Sequence, residues 1–440
     1  MLRISFAPML PAWIPGFRRR WASLLIVSGV LLPVTVLQPY ANAPPIRSDG
    51  VGYHLWTYAL LTGDPNFAWY QENPAEAAIY VSDTARPFWA NKYPPGVALI
   101  RLPFMLPFVD WSQPPGTIAP GEHRMALILA ALALLAVIAL VLSCCRRLGV
   151  SNRSSHWAVL ALTFGTGLFH YASYDGSFSH IYSALAVALL LWLSIRAVTD
   201  KDGRLPLTIA TITIALLILI RNTNGIFVII WATFFFSWAW HAQHPARRVW
   251  LQNAAAIAGG LALGMSLQLA INFHAHGRLT VSSYGTESFL WNRPMMGSVL
   301  LSYERGLFTY YPIFALVLAL GVYVARSRPA ALGLIVLVLA YAGLYGFWHS
   351  WMLGGGFGHR GFVEFMPVAM PLFAVSLDAV GRSMRKFAIA LSSICVMVTV
   401  CLMGGYWCNR IPIEGVTADV YWQNCFRIDY VVRVWSDAKL

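Results

Sequence analysis

Long apolar runs separated by short polar stretches form the main pattern of this chain. A helix needs about 17–25 residues to cross a bilayer, and about eleven segments fit that length and composition. They are 21–38, 124–145, 155–172, 177–198, 205–220, 223–240, 249–271, 306–325, 329–347, 362–380 and 387–406. Segments 205–220 and 223–240 are short and also fit one long broken helix. The pattern predicts an all-α polytopic bundle.

Composition supports a membrane protein. The chain has 440 residues, of which 58% are hydrophobic and 11% are charged. Soluble domains carry roughly 25% charged residues. The net charge is +13, but the basic residues lie in short loops between apolar segments, which indicates membrane topology and no nucleic-acid partner.

The basic loops predict an orientation. Cytoplasmic loops are enriched in Lys and Arg. If Arg18–Arg20 are cytoplasmic, the other basic loops share that side: 146–153, 196–204, 247–248, 326–328 and 382–386. We therefore expect a multi-pass protein of the inner (plasma) membrane with a cytoplasmic N-terminus. The run after Arg20 resembles a signal peptide with a weak cleavage site at 41–43, but its length favours a retained first helix.

The longest loop, 39–123, then lies outside, as do most other isolated polar residues. Within it, Tyr53, Trp56 and Leu60 have helical spacing, which predicts an interfacial helix over 52–61. Residues 97–109 are too few to span and contain prolines, so we expect a re-entrant or juxtamembrane helix. We divide the chain into a membrane domain, 1–406, and an extracytoplasmic tail, 407–440.

Asp49 is the first acidic residue of the chain and follows the first apolar run and two prolines. A carboxylate at a membrane boundary is costly unless it is solvated, paired or used in function. The alternative is that Asp49 caps a helix beginning near Val51, since Asp is a favoured N-cap.

Three local features resemble the GT-C class of polytopic glycosyltransferases, which use polyprenyl-phosphate-linked sugars. They are Ser48-Asp49-Gly50, the element Lys92-Tyr93-Pro94-Pro95-Gly96, and a Gly-rich turn with an arginine within 348–367. The second is similar to an element of the protein-mannosyl and lipid A aminoarabinose transferases. The resemblance implies that the acidic residue of the first outer loop, here Asp49, is the catalytic base, and that transfer inverts the anomeric centre. Some branches have an adjacent acidic pair there, whereas this chain has Asp49-Gly50.

Sugar transfer of this kind needs a base for the acceptor hydroxyl and cations for the departing phosphate. The candidates for the phosphate are Lys92, Arg221, Arg305 and Arg360. Arginine suits bidentate contact with phosphate, and lysine acts as a point charge. The alternatives are loop arginines at the interface and a simple Glu304–Arg305 pair.

Further polar and aromatic residues are candidates for lining the substrate site: Tyr93, His170, Asp175, His180, His349 and His359. His170, Asp175 and His180 could also hold a divalent cation, but their spacing fits no standard metal motif, so we assign no metal ligand. Asp175-Gly176 is equally an ordinary turn pair.

The sequence therefore predicts a hexosyl- or pentosyltransferase that moves a sugar from a polyprenyl phosphate to an unidentified protein, lipid or polysaccharide at the extracytoplasmic face. The alternative is a transporter or flippase for a lipid-linked sugar or organic anion. Transporters usually show paired repeats and ionisable residues near the membrane midplane. In this chain the polar residues crowd one side, which favours transfer.

Overall fold

The computed structural model describes residues 21–37, 44–67, 69, 81–83, 89–200, 203–241, 247–281, 287–328 and 330–436. Within these ranges the regular secondary structure is helical, apart from one antiparallel strand pair, β1 (Val81–Asp83) and β2 (Trp89–Asn91), and an isolated bridge between Phe289 and Trp348. The predicted all-α fold class is confirmed. Arg18–Arg20 lie outside the described residues.

The helices follow the chain in this order: α1 (Ala22–Leu37), α2 (Asp49–Thr62), α3 (Gly96–Met105), α4 (Pro120–Arg147), α5 (Asn152–Phe164), α6 (Leu168–Ser173), α7 (His180–Thr199), α8 (Leu207–Ile220), α9 (Val228–His241), α10 (Arg247–His276), α11 (Met296–Leu301), α12 (Leu307–Tyr310), α13 (Ile313–Ala325), α14 (Ala330–Phe347), α15 (Met366–Ala379), α16 (Arg382–Trp407), α17 (Ala418–Asn424) and α18 (Asp429–Ser436). Short 3-10 helices cover Leu106–Phe108, Asn222–Phe227 and Arg360–Phe365.

Every predicted apolar segment is helical, but only 6 helices of the described chain are long and apolar enough to cross a membrane by themselves. Segment 155–172 is divided into α5 and α6 at Gly165–Gly167, where a side chain on Gly167 would overlap the Tyr311 hydroxyl. Segment 306–325 is divided into α12 and α13 because Pro312 begins a new helix. Apolar runs predict the presence of helices better than their continuity.

Central and peripheral helices differ in burial. The span that ends with α15 is 89% buried, whereas the apolar window of α10 is only 22% buried. α10 nevertheless packs closely on α8, because Gly260 and Gly264 bring its backbone against Ile214 and Ala215. Small residues allow such close helix contacts in membranes.

The two ends of the bundle carry different sets of polar residues. At one end Arg147 bonds Asp200 at 2.6 Å, and the Ser151 amide donates to Asp378 at 2.6 Å. Arg147, Ser151 and Asp200 belong to loops that the sequence predicts to be cytoplasmic, and Asp378 lies at the end of α15, next to the predicted loop 382–386. The candidate site residues lie at the other helix ends.

Helix α2 is covered by protein, since Gly52 to Ala59 are all buried. The Trp56 indole donates to the Tyr93 carbonyl at 2.6 Å, and the Asn91 amide donates to the Gly52 carbonyl at 2.7 Å. The close approach requires glycine at position 52, where a Cβ would overlap the Tyr93 ring. Helix α2 is thereby fixed against the Lys92–Gly96 element.

The tail folds back on the bundle. In α18, Tyr430 and Val434 are buried against α16, and the Tyr421 hydroxyl of α17 donates to the Thr309 carbonyl at 2.7 Å. No disulfide joins Cys408 and Cys425; their Sγ atoms lie 3.6 Å from the carbonyls of Tyr430 and Trp422, respectively.

Candidate active site

A cavity of about 580 Å³ opens at the end of the bundle where the candidate residues lie. Its wall brings together predicted site residues from distant parts of the chain: Asp49, Lys92, Tyr93, His180, Arg221, His349 and Arg360. The other predicted site residues, His170, Asp175, Arg305 and His359, do not line this cavity.

Asp49 is the first residue of α2, and Ser48 occupies the N-cap position without a side-chain cap bond. Asp49 is therefore not the cap that the alternative interpretation requires. Its Oδ2 lies 2.8 Å from Nη2 of Arg360. The N-terminus of a helix favours a negative charge. Asp49 is thus a partly exposed carboxylate held at the cavity wall by the helix end and by one arginine.

Arg360 begins a 3-10 helix directly after the glycine-rich turn. Gly354 and Gly358 have φ of +70° and +57°, a region that residues with a Cβ rarely adopt. The Phe357 carbonyl in the same turn accepts hydrogen bonds from the Tyr171 hydroxyl at 3.2 Å and the Tyr311 hydroxyl at 3.0 Å. This anchored turn fixes the backbone from which Arg360 reaches Asp49.

Arg221 follows the last residue of α8, in extended conformation between two helices. Its Nη1 lies 3.3 Å from Oε1 of Glu364 and 3.1 Å from Nδ1 of His180. Glu364 is completely buried, and it is absent from the site residues predicted from the sequence. A signal was present, because a lone carboxylate inside the apolar run Phe362-Val363-Glu364-Phe365-Met366 is unusual for a membrane segment.

Lys92 also lines the cavity. Its Nζ is 3.5 Å from Oε1 of Glu287, which belongs to the loop before α11. Gly96, four residues further on, rests on the backbone of Leu219 and Ile220 at the end of α8, where a Cβ would have no room. The Lys92–Gly96 element is therefore joined to the chain that carries Arg221.

Aromatic side chains form much of the remaining wall. Tyr53 and Tyr93 have ring centroids 4.7 Å apart, and Phe289 and Trp348 are 5.0 Å apart on the opposite side. Burial raises the pKa of Tyr53, so its hydroxyl stays protonated. An aromatic and cationic cavity suits an anionic ligand with an apolar or sugar-like body.

His170 and Asp175 belong to a buried cluster outside the cavity. The Trp407 indole donates to Nδ1 of His170 at 2.8 Å, so Nε2 of His170 carries the proton and donates to Asp175 at 2.9 Å. Arg47 also bonds Asp175, at 2.9 Å. Burial raises the pKa of Asp175, but the hydrogen bond from His170 and the Arg47 charge outweigh it and hold that pKa below its usual value. These contacts give both residues a structural role in joining the first outer loop to α16.

Arg305 and His359, which the sequence suggests as site residues, also lie outside the cavity. Arg305 is buried and donates to the carbonyl of Ile413, while Glu304 accepts from the Gly415 amide at 2.8 Å. Both therefore hold the tail. These contacts match neither the predicted phosphate role of Arg305 nor a simple Glu304–Arg305 pair.

His359 is enclosed among aromatic rings, and burial lowers its pKa to about 3, which keeps it neutral.

Metal ligands do not cluster in the part of the chain that the structure describes: it holds no group of ≥ 3 His, Cys, Asp or Glu residues suited to an ion. The divalent cation that the sequence leaves open has no assigned site there.

Neither a scan of protein-family models nor a search of curated proteins finds a match. Among solved structures, ArnT from Cupriavidus metallidurans bound to undecaprenyl phosphate is similar at a TM-score of 0.55 and 14% identity, over 95% of this chain and 78% of that chain. The Archaeoglobus fulgidus oligosaccharyltransferase AglB, with an inhibitory peptide and a dolichol-phosphate, gives 0.50 and 12%, over 97% and 56%. This chain thus spans little more than half of the archaeal protein. It is a multi-span membrane protein with the fold of the GT-C glycosyltransferases.

Proposed function

We propose that this protein is a glycosyltransferase that moves a sugar from a polyprenyl-phosphate carrier to an acceptor hydroxyl. The observation that carries the proposal is the meeting of Asp49 with Arg360, Arg221 and Lys92 on one cavity at a helix-bundle end. ArnT and AglB, which share the fold, were solved with undecaprenyl phosphate and dolichol-phosphate. That ligand chemistry suits a cavity with a cationic wall.

In the proposed reaction the acceptor oxygen attacks the anomeric carbon while the bond from that carbon to the phosphate oxygen breaks. Asp49 takes the acceptor proton, and the electron pair leaves on the lipid phosphate. Arg360, Arg221 and Lys92 stabilise the charge that develops there. Attack opposite the leaving phosphate inverts the anomeric centre. Arg305 binds the tail and has no part in this proposal.

The Asp49–Arg360 pair adds a condition to this mechanism. The donor phosphate and the Asp49 carboxylate compete for one guanidinium. Donor binding therefore draws Arg360 from Asp49 and leaves the carboxylate free to accept a proton. The basic loops at the opposite end of the bundle support an extracytoplasmic site in the inner (plasma) membrane.

The test is transfer of radiolabelled sugar from a panel of polyprenyl-phosphate sugars by the purified protein in lipid. We expect transfer by the wild type and a rate about 100- to 10,000-fold lower for Asp49→Asn. Asp64→Asn is the matched control, because Asp64 lies in the same outer loop, accepts from the Asn66 amide at 2.9 Å and does not line the cavity. Full activity of Asp49→Asn would disprove the assignment of the base. Movement of the intact donor across vesicle membranes, without transfer of its sugar, would support the transporter alternative.

A further inference from the structure

Glu364 lies behind two residues of the cavity wall. Its Oε1 is 3.0 Å from Nδ1 of His180 and 3.3 Å from Nη1 of Arg221, and both of these residues line the cavity. Glu364 itself is 0% exposed and does not line the cavity. The carboxylate therefore contacts the wall from the protein side.

The energetics of this contact depend on Arg221. Burying a carboxylate is costly unless a cation and hydrogen bonds compensate for lost hydration. Oε2 of Glu364 has no hydrogen-bond partner among the described residues, so Arg221 and His180 supply the side-chain compensation. Replacing Glu364 or Arg221 leaves the other side chain without this partner at the cavity wall.

The side chain of Arg221 contacts Glu364 and His180, and its backbone amide bonds the Leu217 carbonyl at 3.1 Å. Its backbone is extended between α8 and a 3-10 helix, with no regular structure at the residue itself. Its side chain is 17% exposed, toward the cavity. The bond to Glu364 occupies one end of the guanidinium, which leaves its other N–H groups for a ligand.

We propose that Glu364 is a positioning residue for phosphate binding, which holds Arg221 and His180 in fixed positions facing the lipid-linked phosphate. This inference rests on the proposed function. Glu364 does not touch the donor. It sets the direction of the Arg221 guanidinium, and bidentate contact with phosphate depends on that direction.

The chain offers a matched control in a second buried Glu–His pair. Oε1 of Glu122 lies 2.9 Å from Nε2 of His54, and both side chains are 0% exposed. Its Oε2 accepts from the Tyr58 hydroxyl at 2.7 Å and from the Ala119 amide at 2.9 Å. Neither Glu122 nor His54 lines the cavity. The two glutamates share burial and a histidine partner, but only Glu364 contacts a cavity arginine.

The experiment measures binding of a sugar-free polyprenyl phosphate to the purified protein in lipid nanodiscs, together with thermal unfolding. Glu364→Gln removes an acidic partner of the Arg221 guanidinium, so we expect it to weaken binding on the order of tenfold, which corresponds to about 1.4 kcal/mol. Glu122→Gln should lower Tm and leave the affinity of the folded protein unchanged.

A double-mutant cycle with Arg221→Lys separates positioning from general stability. If Glu364 acts through Arg221, Glu364→Gln costs little further affinity once Arg221→Lys is present. Should Glu364→Gln fail to fold, Glu364→Asp keeps the charge on a shorter side chain, and we expect the same non-additivity.

The outcomes separate the two proposals. If the wild type binds polyprenyl phosphate and Glu364→Gln binds equally well, or if its loss adds fully to that of Arg221→Lys, the positioning role is wrong. If the wild type itself does not bind polyprenyl phosphate, the proposed function is wrong and the inference falls with it.

Discussion

Two ion pairs on the same cavity differ in how firmly they are held. Asp49 and Arg360 are 2.8 Å apart, with side chains 21% and 11% exposed. Lys92 and Glu287 are 3.5 Å apart, with side chains 20% and 34% exposed. Each pair joins an acid to a candidate phosphate-binding cation. The first lies between a helix start and an anchored turn, and the second lies between two loops.

The difference shows which pair determines the geometry of the cavity. Water weakens exposed ion pairs, which typically contribute about 0–1 kcal/mol. The Asp49–Arg360 pair is less exposed, and its flanking backbone is packed on both sides, by Gly50 against Ser177 and by the turn against Tyr171 and Tyr311. We expect changes at the Asp49–Arg360 pair to have the larger effects on binding and transfer, and changes at the Lys92–Glu287 pair to have the smaller ones.

Asp49→Asn should have the largest effect of the changes at the two ion pairs. Loss of a general base should lower the single-turnover transfer rate by about 100- to 10,000-fold. The same variant should bind polyprenyl phosphate more tightly than the wild type, because no carboxylate then competes for Arg360. Rapid-quench kinetics and equilibrium binding check the two effects. Weaker binding by Asp49→Asn would contradict the competition.

Arg360→Lys should have the next largest effect. Lysine keeps the positive charge but loses the planar, bidentate guanidinium. We expect polyprenyl-phosphate affinity to fall roughly 10- to 100-fold, equivalent to about 1.4–2.8 kcal/mol. Titration of the lipid into nanodisc-embedded protein measures this change. Arg305→Lys is the comparison variant, since Arg305 binds the tail and should leave the affinity unchanged.

Gly50→Ala probes the packing behind Asp49. A Cβ at this position would overlap the Ser177 hydroxyl, so α2 must shift. Overpacking typically costs about 1–3 kcal/mol, and we expect a lower Tm together with a lower transfer rate. Gly29→Ala is the control, because a Cβ on Gly29 would have no neighbouring atom within 4 Å. Equal stability of the two variants would show that α2 adapts freely.

Glu287→Gln should have the smallest effect. It removes the acid that competes for Lys92, so phosphate affinity should rise by about twofold, within the range of an exposed pair. The gain should shrink at high salt, because salt screens exposed charges. Binding isotherms at two ionic strengths measure it. A large loss of transfer rate would show that Glu287 belongs to the chemistry.

Much of the fold follows from the apolar runs, because a bilayer forces long apolar segments to be helical. Arg221 stands out because it separates two apolar segments, in which charges are rare. Asp49, Lys92 and Arg360 stand out because they belong to the three local features that resemble the GT-C class. Sequence position alone does not say where a polar residue points. Arg305 and Arg221 both lie next to a helix end. Arg305 contacts the tail, whereas Arg221 lines the cavity.

The sequence could not predict which residues contact each other across the bundle. Glu364 lies inside a segment whose apolarity predicts a span, and its role depends on His180 and Arg221, which are far away in the chain. His170 and Asp175 form a cluster with Arg47 and Trp407, which no local pattern relates to them. Such long-range contacts arise from packing of the completed bundle.

The distance in sequence between Asp49 and Arg360 has a consequence for biosynthesis. Chains are made from the N-terminus, and early segments fold before later ones exist. Asp49 leaves the ribosome long before Arg360, so most of the membrane helices are inserted while the acid has no arginine beside it. A chain interrupted before the turn at 354–358 would carry the proposed base and two of its cations without the fixed pair. The chain must be translated past Arg360 before this cavity can be complete.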